Sequence, residues 1–128
     1  MSVALTLLGQ QGPIAGQTRI QCRLTLSGNY ATFVSGTPPT GGDTINFTSL
    51  IGQAVGSVGV FAQNNPPIYG AIQGSTGDDY DFVPGTNLTN NIVVINTASN
   101  TQLAASGYPA RISGDLNLYG EFIFQELL

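Results

Sequence analysis

The 128-residue chain has a formal net charge of −4, contains no histidine, and takes all three of its basic residues from arginine (Arg19, Arg23 and Arg111). Histidine and lysine supply most general acid–base catalysts, Schiff bases and phosphate contacts, so their absence argues against an enzyme and favours a surface-presenting protein. Three arginines cannot neutralise a run of phosphates, which argues against nucleic-acid binding. No apolar run approaches the roughly 18–20 residues of a membrane span, and no basic region of a signal peptide begins the chain, so we expect neither.

Hydrophobic residues recur with period two along most of the chain, as is typical of half-buried β-strands. In Thr18–Leu26, every second residue from Ile20 onward is apolar. The other predicted strands before the C-terminal region are Val3–Leu8, Tyr30–Val34, Thr44–Leu50, Val55–Ala62, Ile68–Gln73 and Asn91–Asn96. Turns rich in Gly, Pro and Asn separate them. The pattern predicts an all-β chain, an antiparallel, jelly-roll-like β-sandwich forming a single domain over residues 1–128.

The longest alternation runs from Ala110 to Phe124. A continuous strand of that length would span about 45–50 Å at about 3.3 Å per residue. Gly114 and Gly120 fall on its apolar face, where a bulge or bend commonly interrupts so long a strand, so we expect one bent strand or two successive strands. The alternation predicts a core that includes Ile20, Leu24, Leu26, Ile45, Phe47, Ile112, Leu116, Leu118 and Phe122.

The acidic residues form no recognisable catalytic or metal-binding pattern. The cluster Gly77–Asp81 lacks the ligand spacing of an EF-hand loop, so we interpret it as a solvated turn. Asp115 and Glu121 share one face of the predicted strand, but about 20 Å separates them, too far for a glycosidase pair. We therefore predict no catalytic residues, no cofactor and no metal.

Two further features have ordinary explanations. Cys22 lies between apolar residues with no histidine to activate it, so we expect a buried, inert thiol. A lone cysteine forms no internal disulfide, which fits folding in a reducing cytoplasm. Asn46 and Asn87 each begin an N-x-T glycosylation sequence, which we attribute to chance in a chain rich in Asn and Thr.

Three phrases of the sequence carry a family resemblance. They are Asn29-Tyr30-Ala31-Thr32, Gly41-Gly42-Asp43-Thr44-Ile45-Asn46-Phe47, and Gly107-Tyr108-Pro109-Ala110-Arg111-Ile112-Ser113-Gly114-Asp115. In this order the chain resembles the decoration, or cement, proteins of tailed bacteriophage capsids. The resemblance implies a β-sandwich or jelly roll that assembles as a trimer on the outer capsid surface and stabilises the expanded shell. The Asn- and Thr-rich stretch Asn87–Ser106 has no counterpart in that family.

This resemblance implies the major capsid protein as partner, a homotrimer, synthesis in the host cytoplasm and a final location on the virion's outer capsid surface. The apolar chain ends need to be covered, because exposed strand edges aggregate. Trimer contacts and a capsid subunit could cover them, or both ends could pair within their own sandwich. We expect residues 1–12 to form an N-terminal contact arm, whose residues Ser2–Leu8 could be deleted without unfolding the sandwich. The predicted capsid or subunit contacts are Val3, Leu5, Leu7, Leu8, Tyr30, Tyr108, Arg111, Tyr119, Leu127 and Leu128.

An alternative from another class stays open. A carbohydrate- or receptor-binding β-sandwich of a phage tail or fibre would use Tyr, Asn and Asp to stack on sugars and to form hydrogen bonds with them. The absence of Trp weakens this alternative without excluding it. Stoichiometric binding to capsids would favour the first hypothesis, and binding to glycans the second.

Overall fold

A computed structural model describes residues 3–14, 16–50 and 65–125 of the chain. The predicted strand Val55–Ala62 and the predicted contacts Leu127 and Leu128 lie outside these residues. No helix within the described ranges is long and apolar enough to cross a membrane.

Nearly all of the regular secondary structure in the described residues is β-strand. They are β1 (Val3–Ile14), β2 (Gln17–Leu26), β3 (Asn29–Val34), β4 (Thr40–Ile45), β5 (Tyr69–Gln73), β6 (Asp79–Val83), β7 (Asn91–Asn96), β8 (Ser106–Gly107) and β9 (Tyr119–Gln125). One 3-10 turn covers Phe47–Leu50, and one short helix, α1, covers Ala110–Ser113. Gly16 and Gly28 make the tight turns on either side of β2 with φ values of 77° and 79°, which glycine adopts without steric cost.

The strands form one antiparallel sheet in the order β1-β2-β9-β5-β6-β7-β4-β3-β8, curled into a half-barrel. The prediction of an all-β, antiparallel fold is confirmed. Curling brings β1 against β4 and the 3-10 turn on the other half of the sheet. The concave side of the sheet therefore encloses the core without a helical layer.

Alternation along β2 and β9 separates the core face from the outer face. One row across the sheet consists of Cys22, Gly120, Ile72, Tyr80 and Ile95, which face each other in register and are all buried. Eight of the nine predicted core residues are almost completely buried: Ile20, Leu24, Leu26, Ile45, Phe47, Ile112, Leu118 and Phe122. The period-two pattern thus identifies the core side of the sheet correctly.

Phenylalanine rings fill the middle of the core. Phe122 packs edge-to-face against Phe47 and Phe82, with ring centroids 4.8 and 5.2 Å apart, and Phe124 lies 5.4 Å from Phe47. A Cβ at Gly120 would lie only 2.7 Å from the Phe122 ring, so glycine leaves the space that this ring occupies. Such aromatic pairs add about 0.5–1.5 kcal/mol each beyond the area that they bury.

The long strand predicted for Ala110–Phe124 is wrong in its first half. Pro109 precedes one helical turn, α1, which ends at Gly114, and a loop leads from there to β9. Ile112 is buried from the helical turn and Leu118 from the loop after it. The alternation of apolar residues alone therefore does not distinguish this segment from a strand. Leu116 lies in the loop and is 73% exposed, and its assignment to the core is therefore wrong.

Other elements also differ from the prediction. The segment predicted as the strand Thr44–Leu50 leaves the sheet after Ile45, because the side chain of Asn46 turns the chain into the 3-10 turn. Strand β6 is not among the predicted strands, because the charged Asp79 and Asp81 are typical of a solvated turn. These carboxylates point outward from the sheet, while Tyr80 between them is buried in the core.

The contrast between Phe122 and Leu116 yields a stability prediction. Phe122→Ala should lower the free energy of unfolding by about 3–5 kcal/mol, because it leaves a cavity among packed rings. Leu116→Ala, the matched control in the exposed loop, should change it by less than about 0.5 kcal/mol. Urea denaturation followed by circular dichroism measures both, and equal losses in the two variants would contradict this core assignment.

Candidate functional site

Strand β1 contains four of the predicted contact residues and forms one edge of the sheet. It pairs with β2 from Val3 to Ile14, with irregular register between Leu7 and Gly9 and between Gln11 and Ile14. Val3 is buried and Leu5 and Leu7 pack against the core, whereas Leu8 is 50% exposed. The expected separate arm is thus a strand of the sheet, and deleting Ser2–Leu8 would uncover the core. Only Leu8 of the four remains well placed for contact with a partner.

Tyr30 and Tyr108 belong to one polar cluster, in which Tyr30 is buried and Tyr108 is partly buried. Tyr30 is 2% exposed, so its prediction as a surface contact is wrong. Its ring packs edge-to-face on Tyr108, whose hydroxyl donates a hydrogen bond to Oδ2 of the buried Asp43. Burial, and next the hydrogen bond to Asp43, raises the pKa of Tyr108. The Tyr108 phenol therefore stays protonated and serves as a donor.

The hydroxyl of Tyr30 ties the edge strands to the centre of the sheet. It donates to Oε1 of Gln102 at 2.9 Å and accepts the backbone N–H of Ile95 at 3.2 Å. The same Gln102 amide accepts the N–H of Phe33 and donates to its carbonyl oxygen. Gln102 lies in a loop with no periodic pattern, so the sequence offered no signal for it.

Arg111 is held in a structural ion pair with the acidic loop between β5 and β6. Its Nε and Nη2 atoms each lie 3.0 Å from a carboxylate oxygen of Asp78. The Asp78 side chain is only 2% exposed, and its hydrogen bond raises the pKa of Arg111. Both partners are engaged, so Arg111 is a poor choice for a contact with another protein.

Asp115, which follows α1, binds the same loop between β5 and β6. Its carboxylate accepts the N–H and hydroxyl of Ser75 at 2.8 and 2.6 Å, and the N–H of Asn117 at 2.9 Å. Burial pushes the pKa of Asp115 upward, but these three hydrogen bonds outweigh it and lower the pKa below its usual value. The loop that contains the acidic cluster and the segment around α1 are distant along the chain, but these contacts hold them together.

The two N-x-T sequences form matching turns. The Oδ1 atom of Asn46 accepts the N–H and hydroxyl of Thr48 at 2.9 and 2.6 Å, and Asn87 holds Thr89 in the same way at 2.8 and 2.6 Å. The N–H of Phe47 donates to the carbonyl oxygen of Leu88 and so joins the two turns. A local structural role explains both sequences.

Tyr119 is the predicted contact with the most suitable surroundings. It lies 40% exposed on the outer face of β9, and the guanidinium carbon of Arg23 lies 5.9 Å from its ring centroid. Exposed aromatic and arginine side chains are enriched in protein interfaces. Tyr69 on the neighbouring β5 adds a second exposed ring to this face.

The reactive groups of the described residues are kept apart. Burial raises the pKa of Cys22 to about 12, so the thiol is not ionised at neutral pH. Asp115 is held by Ser75, whereas Glu121 lies on the outer face, 3.7 Å from Arg19. No group of three or more Cys, Asp or Glu side chains that could hold a metal ion occurs within the described ranges.

Several surface depressions lie on the described part of the chain, and two of them have contrasting linings. One, of ≈ 560 Å³, lies between the loops that contain Pro38 and Pro39 and the loop from Pro84 to Asn90. The other, of ≈ 420 Å³, is lined mainly by polar side chains of the outer face, including Gln73, Asp79, Asp81, Asn96 and Asn100. The second has the amide and carboxylate groups that recognise sugar hydroxyls.

The hydrogen bonds of Asp115 predict a pH-dependent stability. A carboxyl group whose folded pKa lies below its unfolded value of about 3.9 stabilises the fold above that pH, and this contribution is lost as the pH falls through the folded pKa. Asp115→Asn should lower the free energy of unfolding by about 1–3 kcal/mol at pH 7. The difference from the natural protein should shrink below about pH 4.

Urea denaturation at pH 7 and pH 3 measures this effect. Glu121→Gln is the control, since its exposed pair with Arg19 contributes about 0–1 kcal/mol. A difference for Asp115→Asn that stays constant from pH 7 to pH 3 would contradict the assigned hydrogen bonds to the charged carboxylate.

No known protein family, curated protein or solved structure matches this chain. The described residues offer an edge strand with a half-exposed leucine, an outer sheet face with tyrosines and arginines, and hydrogen-bonded polar clusters that join strands and loops.

Proposed function

We propose that the chain is a non-enzymatic structural protein of a virion that binds the outer surface of a phage capsid and stabilises the expanded shell. The observation that carries the proposal is the long strand β1, which lies at the edge of the sheet over residues 3–14. An edge strand can add a strand from another protein through backbone hydrogen bonds, a common mode of recognition. The half-exposed Leu8 supplies an apolar anchor on the same strand.

The resemblance and the charge distribution support the same proposal. The phrases around Tyr30, Asp43 and Arg111 that resemble decoration proteins include residues of the buried polar ties described above. An acidic protein with few cations is repelled by DNA and stays soluble before it docks. In the proposed assembly, three copies surround a three-fold position of the capsid, and each bridges neighbouring major capsid proteins.

A second candidate function rests on the polar depression of ≈ 420 Å³. Its amide and carboxylate groups would bind a glycan, with Tyr119 available for stacking elsewhere on the same face. A receptor-binding module of a phage tail or fibre would use such a site. Binding to a glycan array without binding to capsids would favour this function over the first.

The proposed capsid contact predicts the effect of a charge at Leu8. Leu8→Glu should weaken binding to purified expanded capsids of the encoding phage by about ten- to hundredfold, because it removes a buried leucine contact. Circular dichroism should show an unchanged fold, since the side chain is half exposed. Val34→Glu is the matched control, because Val34 is 58% exposed but lies on β3, near the opposite edge of the sheet.

Co-sedimentation of the protein with capsids measures the occupancy of the shell. If the Leu8→Glu variant filled the capsid sites with the same affinity as the natural protein, β1 would be excluded as the contact edge. Failure of the natural protein to bind these capsids at any concentration would overturn the proposed function itself.

A further inference from the structure

The outer face of the sheet is organised in rows that run across four central strands. Arg23 of β2 lies beside Tyr119 of β9, then Gln73 of β5 and Asp79 of β6. The next row places Gln21 beside Glu121 and Ala71. Because Ile72 pairs with Tyr80, Asp81 follows on the same face of β6. Side chains in register across antiparallel strands point to the same face. Positive charge therefore lies at the β2 side of this face, and negative charge lies at the β6 side.

Most charged side chains of the described residues already have a partner. Arg111 binds Asp78, and Arg19 pairs with Glu121. The buried Asp43 accepts from Tyr108, and the buried Asp115 accepts from Ser75 and Asn117.

Three other charged side chains in the described part of the chain, Arg23, Asp79 and Asp81, take part in none of these ion pairs and hydrogen bonds. All three belong to the outer face of the same four strands. The Nε of Arg23 is buried and has no hydrogen-bond acceptor among the described residues. Three strand spacings of about 4.8 Å place Arg23 about 14 Å from Asp79, so the two cannot pair within one chain.

We propose that two copies of this chain associate through this outer face, about a two-fold axis parallel to the strands between β9 and β5. That axis places β2 of each copy over β6 of the other. Arg23 of one copy then faces Asp79 of the second copy, and the same contact repeats on the other side of the axis. A two-fold interface uses one surface twice, and this surface is complementary to itself in charge.

The centre of the face fits this arrangement. Tyr119 and Tyr69 are exposed there, and Ile123 and Ala71 lie between the charged margins. The axis sets Glu121 of one copy over the small side chain of Ala71 of the other, where no bulky group opposes it. Aromatic residues at the centre and charges at the rim are the usual composition of protein interfaces.

The expected dimer is weak. Four strands about 4.8 Å apart and three rows of side chains cover roughly 400–500 Å² per copy, below the usual 800 Å² of a stable interface. The sheet also curls away from this face, so only long side chains such as arginine reach across at the margins. This contact goes beyond the proposed capsid function and leaves the β1 edge free.

Charge reversal tests the proposal. Sedimentation velocity of the full chain, over a hundredfold range of concentration at low salt, should show a monomer–dimer equilibrium. Arg23→Glu and Asp79→Arg should each weaken dimerisation by about tenfold or more, because like charges then face each other twice. The double variant Arg23→Glu/Asp79→Arg should regain the natural affinity. About 0.5 M salt should weaken the natural dimer and the double variant alike.

Thr32→Glu is the control, since it adds an exposed negative charge on β3, away from the central strands. It should leave dimerisation unchanged, and circular dichroism checks the fold of every variant. A natural protein that stays monomeric at the highest concentration would overturn the proposal. Single reversals that dimerise normally, or a double variant that does not recover, would overturn it as well.

Discussion

The packing of Phe122 against Phe47 holds the two halves of the curled sheet together. Phe122 lies on β9, in the middle of one half, and Phe47 lies on the 3-10 turn that follows β4 in the other. Gly70 and Gly120 leave the space for this contact, because a Cβ at either position would lie within 3 Å of the Phe122 ring. With no helical layer in the described residues to cover the concave side, the aromatic contact across the curl is what closes the core. The outer face and the β1 edge keep their positions because this contact fixes the curvature.

Much of this architecture could be predicted from the alternation of apolar residues. The pattern in Thr18–Leu26 identified β2 and its buried face, and Phe122 was assigned correctly to the core. The pattern failed where two structures fit the same residues. A helical turn and a loop bury Ile112 and Leu118 as well as a strand would, and only the exposed Leu116 reveals the difference. Strand β6 was hidden for the opposite reason, since two outward carboxylates made a real strand resemble a turn.

The predicted contact residues show why surface roles are harder to predict than core roles. The hydroxyl of tyrosine can form a buried hydrogen bond or lie at a hydrated interface, so the residue type alone does not predict whether a tyrosine is buried or exposed. The hydroxyl of Tyr30 forms hydrogen bonds with Gln102 and Ile95 inside the protein, whereas Tyr119 lies on the outer face. Their different environments depend on pairings between residues more than 60 positions apart, which local patterns do not contain. The same long-range pairings align Arg23 with Asp79 across the sheet.

The paired turns at Asn46 and Asn87 have a consequence for the chemical ageing of the protein. In each turn the side-chain oxygen Oδ1 accepts both hydrogen bonds, from the amide and hydroxyl of the threonine two positions on. Hydrolysis of the amide to a carboxylate, with the backbone left intact, would keep that accepting oxygen and add a negative charge. Slow deamidation of this kind would therefore leave both turns in place while it made the molecule more acidic. A chain that lost both amides by this route would become more acidic, while the hydrogen bond between Phe47 and Leu88 stayed in place.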